Sequence, residues 1–272
     1  MIELNEQDQQ LLEDYHEILR KFEEWISAQP HIPKTIPKTV LFRYVKINHF
    51  DLEESKKLLD INVKFRIKNQ YLFTDRDIES EEFQKVSRTV QYTVFPKLTK
   101  EGYAVESYRI INSDLNNFNL KDIMKLVIMA HDVNSLAQLN INGVIAIYDA
   151  TGFTFQHFMR IISNAQTSIH FSQYGQEVSC INLIQVHYIN CSSLVTKTID
   201  FFKSFLSQEL KKKLYFHSEY EALHDFIDID CLPVEYGGTE GSLKDYHENT
   251  LKKLHKYRDF VKMDENFFLL DN

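Results

Sequence analysis

The chain has 272 residues, which is enough for one large domain or for one domain with a helical companion. Hydrophobic residues make up 43% and charged residues 26%, the ordinary composition of a globular protein with a sizeable core. The net charge of −8 disfavours nucleic acid as a partner and strong attraction to anionic membranes, because both require a positively charged surface.

The cysteines and the first residues indicate the compartment. Three cysteines without the spacing of a disulfide framework, Cys180, Cys191 and Cys231, are typical of a reducing environment. The polar start MIELNEQDQQ does not resemble a signal peptide, and no apolar run approaches the ~18 residues of a membrane-spanning helix. We therefore expect a soluble, cytoplasmic protein.

The first 75 residues predict a small all-helical unit. Apolar residues repeat every three to four positions between residues 11 and 26, and Pro30 ends that helix. Asp51 is a predicted N-cap, and Glu53 and Glu54 complement the dipole of the helix that follows. The predicted helices of this unit span residues 5–29, 39–45 and 52–68.

The second half is organised around one apolar stretch, Gly143–Tyr148, with turn residues on both sides. Such a run is typical of a strand buried on both faces of a parallel sheet that helices cover. A buried helix segment is the alternative, but the β-branched Val144, Ile145 and Ile147 favour the strand. The predicted fold class is therefore α/β.

The remaining elements alternate between helical and strand patterns, which is typical of α/β domains. We predict an α/β domain over residues 76–247, followed by a C-terminal helix and tail over residues 248–272. The predicted strands span residues 105–111, 143–148, 181–186 and 214–217. The predicted helices span residues 81–94, 120–138, 154–171, 192–206 and 242–261.

No motif predicts catalysis or a metal site. The 11 histidines form neither HExxH nor HxH and no CxxC accompanies them, while GxSxG, GxGxxG and GxxxxGK[ST] are absent. Asp149 could act as a general base, but a carboxylate at this turn more often caps the next helix. We expect neither an enzyme nor a bound metal.

Apolar residues exceed what packing requires in the helix from residue 120, the central strand and the segments 153–171 and 194–206. Pockets for hydrophobic small molecules are lined in this way, with few polar groups. The alternative is an ordinary core, and periodicity alone does not separate the two. Gln185 and His187 could hydrogen-bond a ligand, although a structural role is favoured.

Four blocks of sequence between residues 39 and 247 resemble, in order, the conserved blocks of a known family. The segments KINHFDLEESKKLL (46–59) and GVIAIYDATGF (143–153) resemble a block of the helical N-terminal domain and the central strand and turn of the CRAL-TRIO family. The segments 199–206 with 216–217, and LPVEYGG (232–238), resemble later blocks. The most similar group contains the alpha-tocopherol transfer protein and cellular retinaldehyde-binding protein, with many arthropod members.

The resemblance implies a helical domain followed by an α/β domain whose mostly parallel sheet is the floor of an apolar cavity, under a mobile helix that serves as the lid. The implied function is intracellular binding and transfer of a retinoid, carotenoid or tocopherol-like molecule, without a further cofactor. The implied lining comprises Ile123, Leu126, Val127, Ala130, Val144, Tyr148, Phe153, Ile161, Ile169, Val178 and Ile181. The implied inward residues of the lid are Val195, Ile199, Phe202 and Phe205.

Two departures from the family pattern bear on the ligand and on the membrane. Leu126 and Ala130 stand where tocopherol-binding members carry two serines. Of the positions where such members carry basic residues for phosphoinositides, here 48, 177, 209 and 213, only Lys213 is basic. Lys211, Lys212 and Lys213 could meet lipid headgroups, or they could be a solvated helix end.

We expect the partners to be a hydrophobic small molecule and, transiently, a membrane surface, with no nucleic acid and a monomeric state. Two other functions are compatible with the same fold. One is phospholipid or phosphoinositide exchange or sensing, which would need polar residues deep in the cavity. The other is a ligand-free adaptor that works through the helical domain.

Overall fold

Four helices build the N-terminal unit of the computed structural model, which describes residues 4–34, 36–239 and 241–267. Asp51 caps the fourth helix as predicted, because its carboxylate accepts the N–H groups of Glu53 at 2.9 Å and Glu54 at 3.1 Å. Tyr15 divides the helix predicted over residues 5–29 and stacks on Phe50 with 4.2 Å between ring centroids. The helices are α1 (Glu6–Asp14), α2 (His16–Ser27), α3 (Lys38–Ile47) and α4 (Leu52–Lys68).

The second part of the chain alternates strands and helices. The strands of this second part are β1 (Val90–Val94), β2 (Tyr103–Ile110), β3 (Gly143–Asp149), β4 (Leu183–Ile189) and β5 (Leu214–Phe216). In the described residues of the whole chain, none of the helices is long and apolar enough to cross a bilayer. The strands of the second part alternate with helices. Its helices are α5 (Glu81–Ser87), α6 (Leu120–Ala137), α7 (Phe155–Ser163), α8 (Ala165–Gln173), α9 (Ser193–Phe202), α10 (Gln208–Lys212), α11 (Leu243–Lys256) and α12 (Arg258–Phe267).

The strands form one sheet in sequential order, with β1 antiparallel to β2 and all other pairs parallel. Because crossovers between parallel strands are right-handed, a sequential order puts the intervening helices α6 to α10 on one face. The opposite face is covered by short helical turns and the segments that join them, which contribute Leu223, Ile227 and Leu232 to a separate core. The predicted α/β fold, with a mostly parallel sheet, is confirmed.

The predicted helix over residues 81–94 is wrong beyond Ser87, where the chain turns and enters β1. The segment 90–94 contains three β-branched residues and one tyrosine, which suit an edge strand, and it pairs with β2 through Tyr92 and Tyr108. The C-terminal helix then protects this edge. His247 on α11 places its ring nitrogens 3.0 and 2.9 Å from the carbonyl oxygens of Tyr92 and Ser87.

The helical unit docks on α6 through a buried charge cluster. The carboxylate of Asp132 lies 3.6, 3.7 and 3.8 Å from the guanidinium groups of Arg43, Arg66 and Arg76, respectively. These four side chains come from α3, α4, α6 and the segment before α5, and each is largely buried. Charges in such a setting must be paired, so the cluster fixes how the helical unit and the sheet meet.

Candidate functional site

An apolar cavity of about 260 Å³ lies between the parallel strands and the helices above them. Strands β2, β3 and β4 form its floor, α6, α7 and α8 form its walls, and α9 with the turn Lys203–Phe205 forms its roof. Among the residues that line it, Asp149 carries the one charged side chain. The other lining residues are Tyr108, Ile110, Phe118, Leu120, Ile123, Met124, Val127, Tyr148, Ala150, Phe153, Ile161, Ser168, Ile169, Phe171, Ser172, Tyr188, Val195, Thr198, Ile199, Phe202, Phe205 and Leu206.

A row of aromatic rings crosses the floor. Tyr108, Tyr148 and Tyr188 pair in register on β2, β3 and β4, with ring centroids 5.9 and 5.1 Å apart. The row continues to Phe216 on β5, 5.2 Å from Tyr188. Neighbouring strands are about 4.8 Å apart, so identical residues in register stack side by side. Sequence reasoning found Tyr148 only, although each of the three strands carries a tyrosine one or two residues before its end.

Six of the predicted lining residues surround this cavity: Ile123, Val127, Tyr148, Phe153, Ile161 and Ile169. The structure places the other five elsewhere. Leu126 and Ala130 lie on the adjacent stripe of α6 and are fully buried in the core, because α6 is covered on several sides. The serine positions of tocopherol-binding relatives therefore do not face this cavity.

Val144, Val178 and Ile181 lie nearer to the amino ends of the strands. Val144 is four residues before Tyr148, which is about 13 Å along β3. Val144 and Ile181 instead line a second cavity of about 360 Å³ beside α3. Val178 is buried in the core, and its carbonyl oxygen accepts the side-chain amide of Asn62 at 3.1 Å.

The predicted lid is α9 and the turn after it, and all four of its named residues, Val195, Ile199, Phe202 and Phe205, line the cavity. Its outer surface is also apolar. Helix α7 lies against α9 and adds further apolar side chains that solvent reaches. We name as the lid patch the exposed residues Phe155, Met159, Phe201 and Phe205.

The three predicted membrane-contact lysines end α10, the helix that follows the lid. Lys211 and Lys212 occupy its last turn, where they complement the helix dipole. Lys213 is the C-cap residue and pairs with Glu209 at 2.8 Å. The hydrogen bond from Lys213 lowers the pKa of the Glu209 carboxyl. Contact of these lysines with lipid remains a prediction.

A third cavity, of about 220 Å³, brings together three of the positions that are basic in phosphoinositide-binding relatives. Glu177, Glu209 and Lys213 line it, and Ile47, next to Asn48, also contributes. Lys213 pairs with Glu209, whereas Glu177 has no ion pair within residues 4–34, 36–239 and 241–267 and accepts the side-chain amide of Gln173 at 3.1 Å. This cavity therefore lacks the positive charge that a phosphate group requires.

The polar residues near the central strand have structural partners. Asp149 accepts the N–H of Thr151 at 2.9 Å, the amide of Asn190 at 2.8 Å and the hydroxyl of Tyr236 at 3.3 Å. The prediction that Asp149 caps α7 is wrong, because Thr154 caps this helix in a capping box with His157.

His187 and Gln185 lie on the opposite face of the sheet from the cavity. His187 is fully buried, 3.0 Å from His217 and 3.1 Å from Gln185. Burial, with a smaller effect of His217, lowers the pKa of His187 to about 4. Their role is structural, as favoured above. The described residues contain no group of three or more histidines, cysteines or acids placed to hold a metal ion.

Family models match two parts of this chain, a Pinta-like UBA domain over residues 11–83 and a CRAL/TRIO domain over residues 88–238. Clavesin-1 of Xenopus laevis is 23% identical over 242 residues, which cover 88% of this chain and 71% of clavesin-1. Human alpha-tocopherol transfer protein-like is 22% identical over 238 residues, covering 86% of this chain and 67% of that protein.

A solved structure, described as the crystal structure of Sfh5, superimposes with a TM-score of 0.56 at 13% identity. The superposition covers 93% of this chain and 96% of that chain, so the two share a fold. The CRAL/TRIO model covers more than half of the chain, and the resemblance seen in the sequence is confirmed. The chain belongs to the CRAL/TRIO family of lipid-binding proteins, with a helical UBA-like unit ahead of that domain.

Proposed function

We propose that the protein is a monomeric cytoplasmic carrier that holds one isoprenoid molecule in the cavity beneath α9 and delivers it to a membrane. The observation that supports this most is an almost entirely apolar cavity roofed by a helix with aromatic side chains on both faces. Alpha-tocopherol transfer protein-like, by its name, is related to a protein with this type of activity. The proposed units are a helical domain to residue 75, the carrier domain to residue 247 and a C-terminal segment.

The size of the cavity favours a ligand of retinoid size. A volume of about 260 Å³ lies just below the usual range of ligand pockets, which is about 300–1,000 Å³. A cavity at the lower end of that range favours the smallest of the three ligand types, and a retinoid is smaller than a tocopherol or a carotenoid. Among the three predicted ligand types, we therefore propose a retinoid or an isoprenoid of similar length.

Burial of apolar surface supplies the affinity, so the proposed activity needs no catalytic residue. A retinoid buries roughly 400 Å² of apolar surface, which at ~25 cal/mol per Å² is worth about 10 kcal/mol before the entropic cost of association. The lining offers few competing polar groups, and the carboxylate of Asp149 is occupied by three hydrogen bonds. We therefore propose transport and not catalysis.

The lid patch is the proposed membrane contact. When α9 swings away from the cavity, Phe202 joins Phe201 and Phe205 at the surface and can enter the interfacial region of a bilayer. Because the net charge is −8, this contact depends on apolar insertion more than on attraction to anionic lipids. Lys211 and Lys212 lie after the lid and could add a small electrostatic contribution.

The test is mass spectrometry of an organic extract of the purified protein. The proposal predicts one isoprenoid in the extract of the unaltered chain and its loss from Ile169→Trp, which fills the cavity. Val234→Trp, at an exposed site outside the lining, is the control and should keep the ligand. A phospholipid in the extract would instead favour the exchange or sensing function, and an empty cavity would favour a ligand-free adaptor.

A further inference from the structure

Three tyrosine hydroxyls on the cavity floor lack a hydrogen-bond partner. Within residues 4–34, 36–239 and 241–267, no hydrogen bond involves the hydroxyl of Tyr108, Tyr148 or Tyr188, although each residue lines the cavity. Two buried tyrosines next to the sheet are paired: Tyr92 donates to Glu106, and Tyr236 donates to Asp149. The floor tyrosines therefore differ from these two, whose hydroxyls donate to carboxylates within the protein.

All three side chains are half-buried at the cavity, so a ligand that fills it removes their hydroxyls from water, which is costly unless the ligand accepts a hydrogen bond in return. Tyrosines buried in proteins usually find a partner for this reason. Side chains stand roughly perpendicular to a sheet, so these hydroxyls extend from β2, β3 and β4 toward the space below the lid. Three donors in one row are therefore presented to whatever fills the cavity.

The three phenols remain neutral donors. Burial raises the pKa of Tyr108, Tyr148 and Tyr188 above the usual value for a phenol. Neighbouring groups act in the same direction: Tyr148 raises the pKa of Tyr108 and Tyr188, and Glu106 raises that of Tyr148. A neutral phenol donates well to a carbonyl or hydroxyl oxygen.

The lining also contains no lysine, arginine or histidine side chain among the described residues, and it does contain Asp149. A ligand carboxylate would therefore be buried without a counter-charge and beside an acid, which is strongly unfavourable. The cavity accepts a ligand oxygen only if that oxygen is uncharged.

We propose that Tyr108, Tyr148 and Tyr188 form the polar subsite of the cavity and select an apolar ligand with a neutral terminal oxygen, as in an aldehyde, ketone or alcohol. This inference rests on the proposed carrier function and specifies its ligand class. The subsite disfavours binding of the corresponding carboxylic acids, and its hydroxyls add nothing to the affinity for a hydrocarbon.

Four probes with one skeleton test the subsite: retinaldehyde, retinol, retinoic acid and the hydrocarbon axerophthene. Their affinities are measured by displacement of a fluorescent fatty probe from the full chain and from the triple variant Tyr108→Phe, Tyr148→Phe, Tyr188→Phe. Tyr215→Phe is the matched control, because this tyrosine lies on β5 outside the cavity lining. A thermal melt of each variant reports that it is folded.

The full chain should bind retinaldehyde and retinol about tenfold more tightly than axerophthene, the value of one good hydrogen bond, and retinoic acid most weakly. The triple variant should lose the preference for the two oxygenated neutral probes while axerophthene binds unchanged, and Tyr215→Phe should match the full chain. Equal binding of axerophthene and retinaldehyde by the full chain would overturn the subsite and leave the carrier function standing. Failure of all four probes to bind would overturn both.

Discussion

Two adjacent phenylalanines of the lid differ in their contact with the cavity. Phe201 is 47% exposed and lies outside the cavity lining, whereas Phe202 lines the cavity. If Phe201 enters a bilayer, it buries roughly 90 Å² that solvent now reaches, worth about 2 kcal/mol at ~25 cal/mol per Å². Phe201→Asp should therefore slow transfer to vesicles about 30-fold and leave the ligand Kd within about twofold.

Phe202→Asp should weaken ligand binding, which Phe201→Asp should not. It places a carboxylate against the apolar ligand, and a buried polar group without a partner costs at least about 2 kcal/mol, so the Kd should rise 30-fold or more. The assay loads each variant with retinol and follows its transfer to vesicles that contain an energy-transfer acceptor lipid, with Kd measured separately. Equal loss of affinity in both variants, or unchanged transfer by Phe201→Asp, would refute the division of roles between the two faces of α9.

Three further predictions concern stability and membrane selectivity. Asp132→Ala should lower the free energy of unfolding by about 3–5 kcal/mol, because it leaves buried arginines without their shared carboxylate, whereas Asp230→Ala at an exposed pair should change it far less. Urea denaturation checks both. Because His187 has a lowered pKa, the unfolded chain binds more protons at this residue, so the contribution of His187 to stability should fall by about 2 kcal/mol from pH 7 to pH 5, and the loss should be smaller by that amount in His187→Gln. Transfer to neutral phosphatidylcholine vesicles should change less than about twofold when a phosphoinositide is added, because Glu177 and Glu209 line the cavity where basic residues would be needed, and Glu177→Lys with Glu209→Lys should create a dependence.

Each of these has an outcome that contradicts it. Similar stability losses for Asp132→Ala and Asp230→Ala would show that the buried cluster contributes little. An equal change in stability between pH 7 and pH 5 with and without His187→Gln would mean that His187 keeps an ordinary pKa when folded. Strong acceleration of transfer by phosphoinositide in the unaltered chain would show that the acidic cavity does not control lipid choice.

Local signals were sufficient for much of the fold. Helix α4 has the predicted bounds, because an Asp cap, acids in the first turn and a regular apolar repeat all act within the same segment. The central strand was identified by its β-branched apolar run and differs from the prediction only by including Asp149. Such elements are specified by residues that are close in sequence.

The features that were missed depend on residues far apart in sequence. Strand β1 was mistaken for helix because its identity comes from pairing with β2. The tyrosine row requires the register of three strands, which no single segment encodes. The placement of Leu126 and Ala130 required knowing which stripe of α6 faces the cavity and which faces the core.

The central claim is that the cavity under α9 binds one ligand molecule. Native mass spectrometry of the intact protein tests this claim most directly. The account predicts a single adduct of retinoid size on each chain, released when the ions are heated, and a bare chain for Ile169→Trp. An unaltered chain that shows no adduct after incubation with retinol, or an Ile169→Trp chain that keeps the adduct, would contradict it.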